Sequence, residues 1–469
     1  MRRRRNRIVA TVLGLLVWMG VHAADTAKVL SQEAFVNIVR AYHPVVLQSG
    51  LQVQRAGAEV MKARGAFDPT AGADLDRKTF DGKQYYSYFR SELAIPTWYG
   101  IDLKGGIEEV IGDRVSEEST LGKTAYAGVK VSTNSLLFDK RRAMLRQAQT
   151  MSDLSEAERR LAVNDLMLDA IYAYWSWVKE YQVYNVIRNT VRINEERLGF
   201  VRTEFFQGAR PAIDTTEALA QLQSFYLQLN ASRLAFANAG IELSNYLWLE
   251  DGAPAGWSEE IVPDSLSVMR GSEEADVPSL IALLDKTPLH PKVQSIGFKL
   301  DFLEIDKRLK SQYLIPKLSV SGNVLSKGYN VPTDFTATFL ERNHKVGVDF
   351  SVPIFMREAR GNYRSAVYKL QEAGLEKSRT ELTVENKIRS YYNEVMALKQ
   401  QNAIMKQAYN NYQKLYNGEQ MRFEIGESSL FLLNTRENKL LETNQKLIEL
   451  RIKWQQAYAS LLWAAGILG

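Results

Sequence analysis

Residues 357–424 read REARGNYRSAVYKLQEAGLEKSRTELTVENKIRSYYNEVMALKQQNAIMKQAYNNYQKLYNGEQMRFE, 68 positions without a proline. Within them Val384, Tyr391, Leu398, Met405 and Tyr412 recur every seven positions. A break at Ile425-Gly426-Glu427-Ser428-Ser429 follows, and then a second ladder of Leu433, Leu440, Leu447, Trp454 and Leu461. A sustained seven-residue repeat keeps one apolar seam turned toward a partner helix, the coiled-coil pattern. At 1.5 Å per residue the first run makes a rod of about 100 Å, longer than a compact globular domain needs. The stretch 357–468 therefore reads as a long antiparallel helical hairpin that turns at Gly426.

Working outward, the same pattern stands at 139–249. Leu154, Leu161, Leu168 and Trp175 are seven apart, with Ile171 and Val178 widening the seam. Gly208-Ala209-Arg210-Pro211 breaks the helix, and a return helix carries Leu222, Leu229, Phe236 and Leu243. Tyr172, Tyr174, Trp175 and Trp177 read as helix packing. Ahead of each hairpin the period changes to two. Tyr99, Ile101, Leu103 and Ile107 alternate with Gly100, Asp102, Lys104 and Glu108, and Ala125, Ala127, Val129 and Val131 with Thr124, Gly128, Lys130 and Ser132. In the second half Leu318, Val320, Gly322 and Val324 form one such face, and Val346, Val348, Phe350 and Val352 another. Strands with one apolar and one polar face suit either a sheet between core and water or a barrel wall between lipid and lumen.

Each set of strands is preceded by a short helix and a medium helix joined at His-Pro. The residue before a proline is pushed out of the helical region, so His43-Pro44 and His290-Pro291 are breaks. The medium helix of the first set is expected to stop at Gly65. These landmarks make the duplication quantitative. His43 to His290 and Pro69 to Pro316 are both offsets of 247, whereas Arg142 to Arg360 and Gly208 to Gly426 are both 218. The first copy thus holds 29 extra residues between Pro69 and Arg142, about one strand hairpin. The expected organisation is a first repeat at 25–250, a linker at 251–276 and a second repeat at 277–469. The first holds strands at about 71–136 and a helical hairpin at 139–249; the second holds strands at about 317–353 and a hairpin at 357–468.

The chain opens on Arg2, Arg3, Arg4, Arg5 and Arg7, followed by an apolar run from Ile8 to Val21 and then His22-Ala23. This is the pattern of a secretory signal peptide over 1–24. Taking those five arginines from the 59 basic residues leaves 54, equal to the 54 acidic ones, so the basic balance carries no nucleic-acid reading. There is no cysteine, hence no disulfide, thiolate metal site or lipid-anchored cysteine. No apolar run after the leader is long enough for a transmembrane helix, so membrane entry would require strands closed into a barrel.

With these elements in hand the chain resembles the TolC family of bacterial outer-membrane efflux and secretion ducts, over nearly its whole length after the leader. The carriers are the paired His-Pro elements, the strand-to-helix passages 134–143 and 352–361, and the turns Phe206-Gln207-Gly208 through Asp214 and Phe423-Glu424-Ile425-Gly426 through Leu433. The resemblance implies a mainly α fold with a β-barrel: duplicated helical hairpins forming a periplasmic tunnel, plus a transmembrane barrel shared by a homotrimer. It implies a passive exit duct of a tripartite efflux pump or type I secretion system. Its partners would be a periplasmic adaptor, an inner-membrane RND, ABC or similar pump, and outer-membrane lipid. No cofactor and no enzymatic activity are implied.

By the same resemblance the adaptor docks at the periplasmic tip, on Gly208, Ala209, Arg210, Ile213, Asp214, Gly426, Ser428, Ser429 and Leu430. Some members constrict the channel with aspartates, where this chain has Leu432 and Thr435; Glu424 and Glu427 are the nearby acids. The 29 extra residues are expected to form an extended extracellular hairpin, because four strands per protomer give a twelve-stranded trimeric barrel. Additional barrel strands are the alternative. A secreted coiled-coil scaffold without transport is the rival for the chain as a whole.

Other readings are weaker. Gly122-Lys123-Thr124 resembles the end of a phosphate loop, but Glu117 replaces its first glycine and a strand follows. His344 alone makes no metal site, and acids spread along helices single out no catalytic pair. Tyr85, Tyr86, Tyr88, Trp98, Tyr99, Tyr329, Phe335 and Phe339 are candidates for a membrane-interface belt.

Overall fold

The computed structural model describes residues 28–115, 120–264, 276–327 and 343–469. The leader 1–24, part of the linker, Glu117, Tyr329, Phe335 and Phe339 lie outside the described residues. In chain order the elements are β1 (Lys28–Leu30), α1 (Gln32–Tyr42), α2 (Pro44–Arg64), β2 (Thr70–Phe80), β3 (Lys83–Pro96), β4 (Ile101–Ile111), β5 (Gly122–Ser132), α3 (Thr133–Phe138), α4 (Lys140–Phe206) and α5 (Ala212–Ser244). There follow β6 (Ile261–Pro263), α6 (Leu280–Leu284), α7 (Pro291–Gln312), β7 (Lys317–Lys327), β8 (His344–Ser351), α8 (Arg357–Glu424) and α9 (Leu430–Ala464). The described residues fall into two compact units. One is built from 28–39, 170–264 and 401–453, the other from 40–169, 276–400 and 454–469.

The His-Pro breaks have a common chemistry. His43 and His290 both take extended backbone, with φ/ψ of −65/133° and −61/129°. Each imidazole Nδ1 accepts the amide two residues on, from Val45 at 3.2 Å and Lys292 at 3.1 Å, and proline fills the first helical position. Histidine here acts as an N-cap. The expected stop at Gly65 differs: its φ of −58° is right-handed, and the chain tightens into a 3₁₀ turn over Gly65–Phe67 before β2. The strand-to-helix passage of the first repeat is also more elaborate than a simple join. Ser132 and Ser135 form a capping box for the short α3, and Asp139 then receives the Arg142 amide at 2.8 Å to begin α4.

The linker is partly built into the first unit. β6 pairs in parallel with β1, from Lys28↔Ile261 to Leu30↔Pro263. Trp257 packs edge-on against Phe236 at 5.4 Å and covers Gly240, where any side chain would collide with its ring. Around them Tyr174, Trp175 and Trp177 are buried, as the packing reading expected, while Tyr172 is partly exposed.

The second unit carries a continuous six-stranded antiparallel sheet in the order β2-β3-β4-β5-β7-β8. The extra residues of the first repeat are therefore not a hairpin standing clear of the sheet; β3 and β4 are hydrogen-bonded along their length into its middle. Non-local pairing decides this, and the alternation of 99–108 could not. The registers also fix the two faces. Ala73, Ser91, Ile107, Ala125 and Ser326 lie in one cross-strand row. A second row on the same face runs Ile95, Leu103, Val129, Gly322 and Val346.

Because side chains alternate along a strand, these rows assign every neighbour. The face they share carries Ala71 and Leu75; Phe89 and Leu93; Ile101; Ala127 and Val131; Leu318, Val320 and Val324; Val348 and Phe350. The opposite face carries Asp74, Asp76, Arg90, Glu92, Asp102, Lys104, Glu108, Lys130, Asn323, Lys345 and Asp349. The candidate aromatic belt is dispersed. Tyr86 and Tyr88 belong to the polar face, and Tyr85 packs edge-on against Phe80 at 5.9 Å. Trp98 packs on Phe67 at 5.1 Å, and Tyr99 is exposed at the β3–β4 turn.

Candidate functional site

The two hairpin turns lie in the first unit and are built alike. Gly208 and Gly426 adopt φ of +75° and +81°, the left-handed region in which glycine avoids a Cβ clash. At the first turn Ala209 N donates to Glu204 O and Gly208 N to Phe205 O, both at 2.9 Å. At the second, Glu427 N donates to Arg422 O at 2.8 Å and Gly426 N to Phe423 O at 3.1 Å. Both are Schellman closures, which satisfy the last carbonyls of α4 and α8. The offset of 218 residues is therefore structural as well as sequential.

The residues expected at the tip separate into three kinds. Gly208, Ala209, Ile213, Gly426 and Ser429 are exposed, and Ser429 Oγ caps α9 by accepting Leu432 N at 3.3 Å. Arg210, Asp214 and Ser428 are engaged within the protein. Arg210 pairs with Glu204, reaches Asp214 at 3.6 Å, donates to the Phe423 carbonyl at 3.0 Å and lies 3.8 Å from the Phe423 ring centroid. It ties the first turn to the end of α8. Ser428 donates to Glu419 at 2.5 Å. Leu430 is a correction: at 1 % exposure it is a core residue, packed with Phe423, Leu433, Val201 and Leu222, and offers no docking surface. Of the positions considered for a constriction, Glu424, Glu427 and Thr435 are exposed and Leu432 is half-buried.

Two features of this site escape a reading of the sequence. Phe206, Ile425, Phe431 and Met421 expose large apolar side chains beside the turns. Isolated apolar residues in a turn carry no periodic signal. The second feature is a buried polar cluster eleven residues, about 16 Å at 1.5 Å each, along the helices from the turn glycines. Arg197 on α4 and Glu437 on α9 form a two-pronged pair at 2.6 and 3.0 Å, with both side chains under a tenth exposed. Tyr416 on α8 accepts from Arg197 at 2.9 Å, Asn194 donates to Glu437 at 3.2 Å, and Asn434 donates to Glu217 on α5 at 3.0 Å. Burial opposes the Arg197 charge, but Glu437 outweighs it, so the guanidinium holds its proton more tightly than usual. A signal for this cluster was present: Glu437 sits seven residues after the core residue Leu430, where the heptad calls for an apolar side chain.

Comparisons with known proteins bear on what such a chain is. Residues 290–467 match the family model described as outer membrane efflux protein. Among solved structures, the chain is similar to the Campylobacter jejuni CmeC outer membrane channel, at 16 % identity and a TM-score of 0.63 over 92 % of this chain and 85 % of that one. It is similar to the Vibrio cholerae outer membrane protein VceC, at 14 % identity and 0.64 over 92 % and 95 %. It is also similar to the open state of the Neisseria gonorrhoeae MtrE outer membrane channel, at 13 % identity and 0.66 over 95 % and 93 %. No curated protein sequence matches it. Residues 290–467 thus carry an outer membrane efflux protein domain, and the chain as a whole has the fold of these outer-membrane channels.

Proposed function

We propose that this chain is one protomer of a homotrimeric outer-membrane duct, which passes cargo passively to the outside from a periplasmic adaptor and an inner-membrane pump. The observation that carries the reading is the one-sided sheet. From the helix end of β2, β4 and β5, its apolar face runs for three or four alternate positions without a charge. The first charges on it, Arg77, Glu109 and Lys123, stand toward the opposite strand ends. Leu75, Val346, Val348 and Phe350 on this face are all at least 65 % exposed, which in water is a liability and in lipid is the required surface. Among the described residues no helix is long and apolar enough to cross a membrane, so the sheet is the part suited to do so. Strands of 11 residues match the length a tilted strand needs to span the hydrocarbon layer.

Adaptor docking belongs at the paired turns in this reading, on Gly208, Ala209, Ile213, Gly426 and Ser429 with the exposed Phe206, Ile425 and Phe431 around them. Glu424 and Glu427 supply the acids nearest the opening. The exit duct of a tripartite efflux pump or of a type I secretion system requires the same surfaces. The test is fractionation of cells expressing the full chain, with gel mobility compared before and after heating. A duct partitions with the outer membrane and migrates as a compact oligomer until boiled. A coiled-coil scaffold would instead be found in the soluble periplasmic fraction as heat-insensitive monomer.

A further inference from the structure

The geometry points to an eighteen-stranded barrel, six strands from each of three copies; it rests on the trimeric-duct reading and adds the size and wall of the pore. The inserted segment can be delimited. β2 begins directly after Pro69 as β7 does after Pro316, and the 218-residue offset maps β8 onto β5. What remains unmatched is Lys83–Ile111, 29 residues, which are β3, β4 and the turn between them. This pair is antiparallel and hydrogen-bonded on both flanks, from Ala71↔Leu93 on one side to Ile101↔Val131 on the other. A projecting extracellular hairpin would have no neighbours to pair with.

The side chains of the insertion obey the same two faces as the strands around it. Phe89, Leu93, Ile95, Ile101, Leu103 and Ile107 continue the apolar side without a step, and Arg90, Glu92, Lys104 and Glu108 continue the polar side. A one-residue slip would exchange the faces, so this agreement specifies the register. On the polar side the insertion is fastened to β5. Tyr126 arches over Gly106, the residue directly opposite it, and its hydroxyl donates to Glu92 on β3 at 2.8 Å. A side chain at 106 would collide with the Ser91 carbonyl and the Tyr126 ring. Lys104 pairs with Glu92 at 2.7 Å and Arg90 with Glu108 at 3.2 Å. Polar cross-strand links of this kind belong to a wall facing water.

Closure follows from the edges. Among the described residues β2 and β8 are the two ends of the sheet, each with one side outside the ladder. With six strands, each antiparallel to the next, β2 and β8 run in opposite directions, so β8 of one copy can continue the ladder into β2 of the next. Neither edge carries a proline, and both are largely exposed, which is a template for pairing unless another chain covers it. A second copy supplies the missing strand, and three copies close the ring. Barrel diameter grows roughly linearly with strand number, so this pore is about one and a half times as wide as a twelve-stranded one, in the range where porins hold an open aqueous channel.

Electron cryo-microscopy of the detergent-purified full chain tests this, together with nitroxide labels at Leu103 and Lys104 in reconstituted vesicles. The expected map has eighteen strands around a threefold axis, and the label at L103C is relaxed by lipid-phase oxygen while that at K104C is relaxed by a water-soluble nickel chelate. A threefold map with twelve strands and 83–111 standing above the membrane, or both labels reached only by the chelate, overturns the inference and leaves the duct standing. Particles without a ring of copies overturn the duct and the inference together.

Discussion

Glu437 shows how a single polar residue is committed inside an otherwise apolar seam. It is held by Arg197 and Asn194, and its removal would leave a buried guanidinium facing only Tyr416, Asn194 and Asn434. Breaking one partner of such a pair costs about 3–5 kcal/mol, whereas replacing both by well-packed apolar groups is often neutral. Glu437→Leu should therefore lower the thermal midpoint of the helices sharply, and the Arg197→Met/Glu437→Leu double variant should recover most of the loss, as read by circular dichroism. His290 makes a second prediction at this scale. Burial pushes its pKa down to about 4, with a hydrogen bond to the Trp463 backbone and the Asp165 charge acting the other way. An unfolded histidine titrates near roughly 6.5, so the unfolded chain binds the extra proton first as pH falls. The stabilisation is complete above about pH 6.5 and is lost between there and about pH 4, up to roughly 3 kcal/mol. His290→Asn keeps a side-chain cap and should flatten that part of the stability–pH curve.

At the scale of elements, the long helices carry seams that a single chain leaves open. On α5, Leu227, Leu234 and Ile241 are seven apart and between 60 and 73 % exposed. Heptad leucines facing water are the surface a neighbouring copy would cover. Leu227→Glu/Leu234→Glu should leave helix content unchanged by circular dichroism and abolish the proposed trimer in analytical ultracentrifugation. The turns predict a smaller effect. Gly208→Ala or Gly426→Ala forces a side chain into left-handed backbone and should cost about 1–2 kcal/mol each, seen as faster amide exchange at residues 209 and 427. The helices and turns were legible because heptads and glycine breaks are local signals. The seam was legible only in part. The ladder Val384, Tyr391, Leu398, Met405 and Tyr412 buries Val384 and Leu398 but leaves the other three half-buried, whereas Ile388, Val395, Asn402, Tyr416 and Phe423, on a second heptad ladder, are all buried. Asn402 and Tyr416 hid it, since what accommodates them appears only in the fold: the Asn402 amide nitrogen donates to the Leu450 carbonyl and the Tyr416 hydroxyl accepts from Arg197.

For the molecule as a whole, the duplication carries most of the architecture and fails at one place. The alternation of 99–108 was visible, but strand pairing is non-local, and a count of four strands per copy leaves the extra residues outside the sheet. The registers put them inside it. Leu430 fails for a related reason: adjacency to a turn says nothing about which way the first residue of α9 points. That copies of this chain enclose a water-filled path across a membrane is tested most directly by planar-bilayer recording of the purified full-length protein. Discrete, stable conductance steps are expected from the trimeric fraction, and none from the Leu227→Glu/Leu234→Glu variant. A folded trimer that inserts into the bilayer and passes no current under any applied voltage would contradict it.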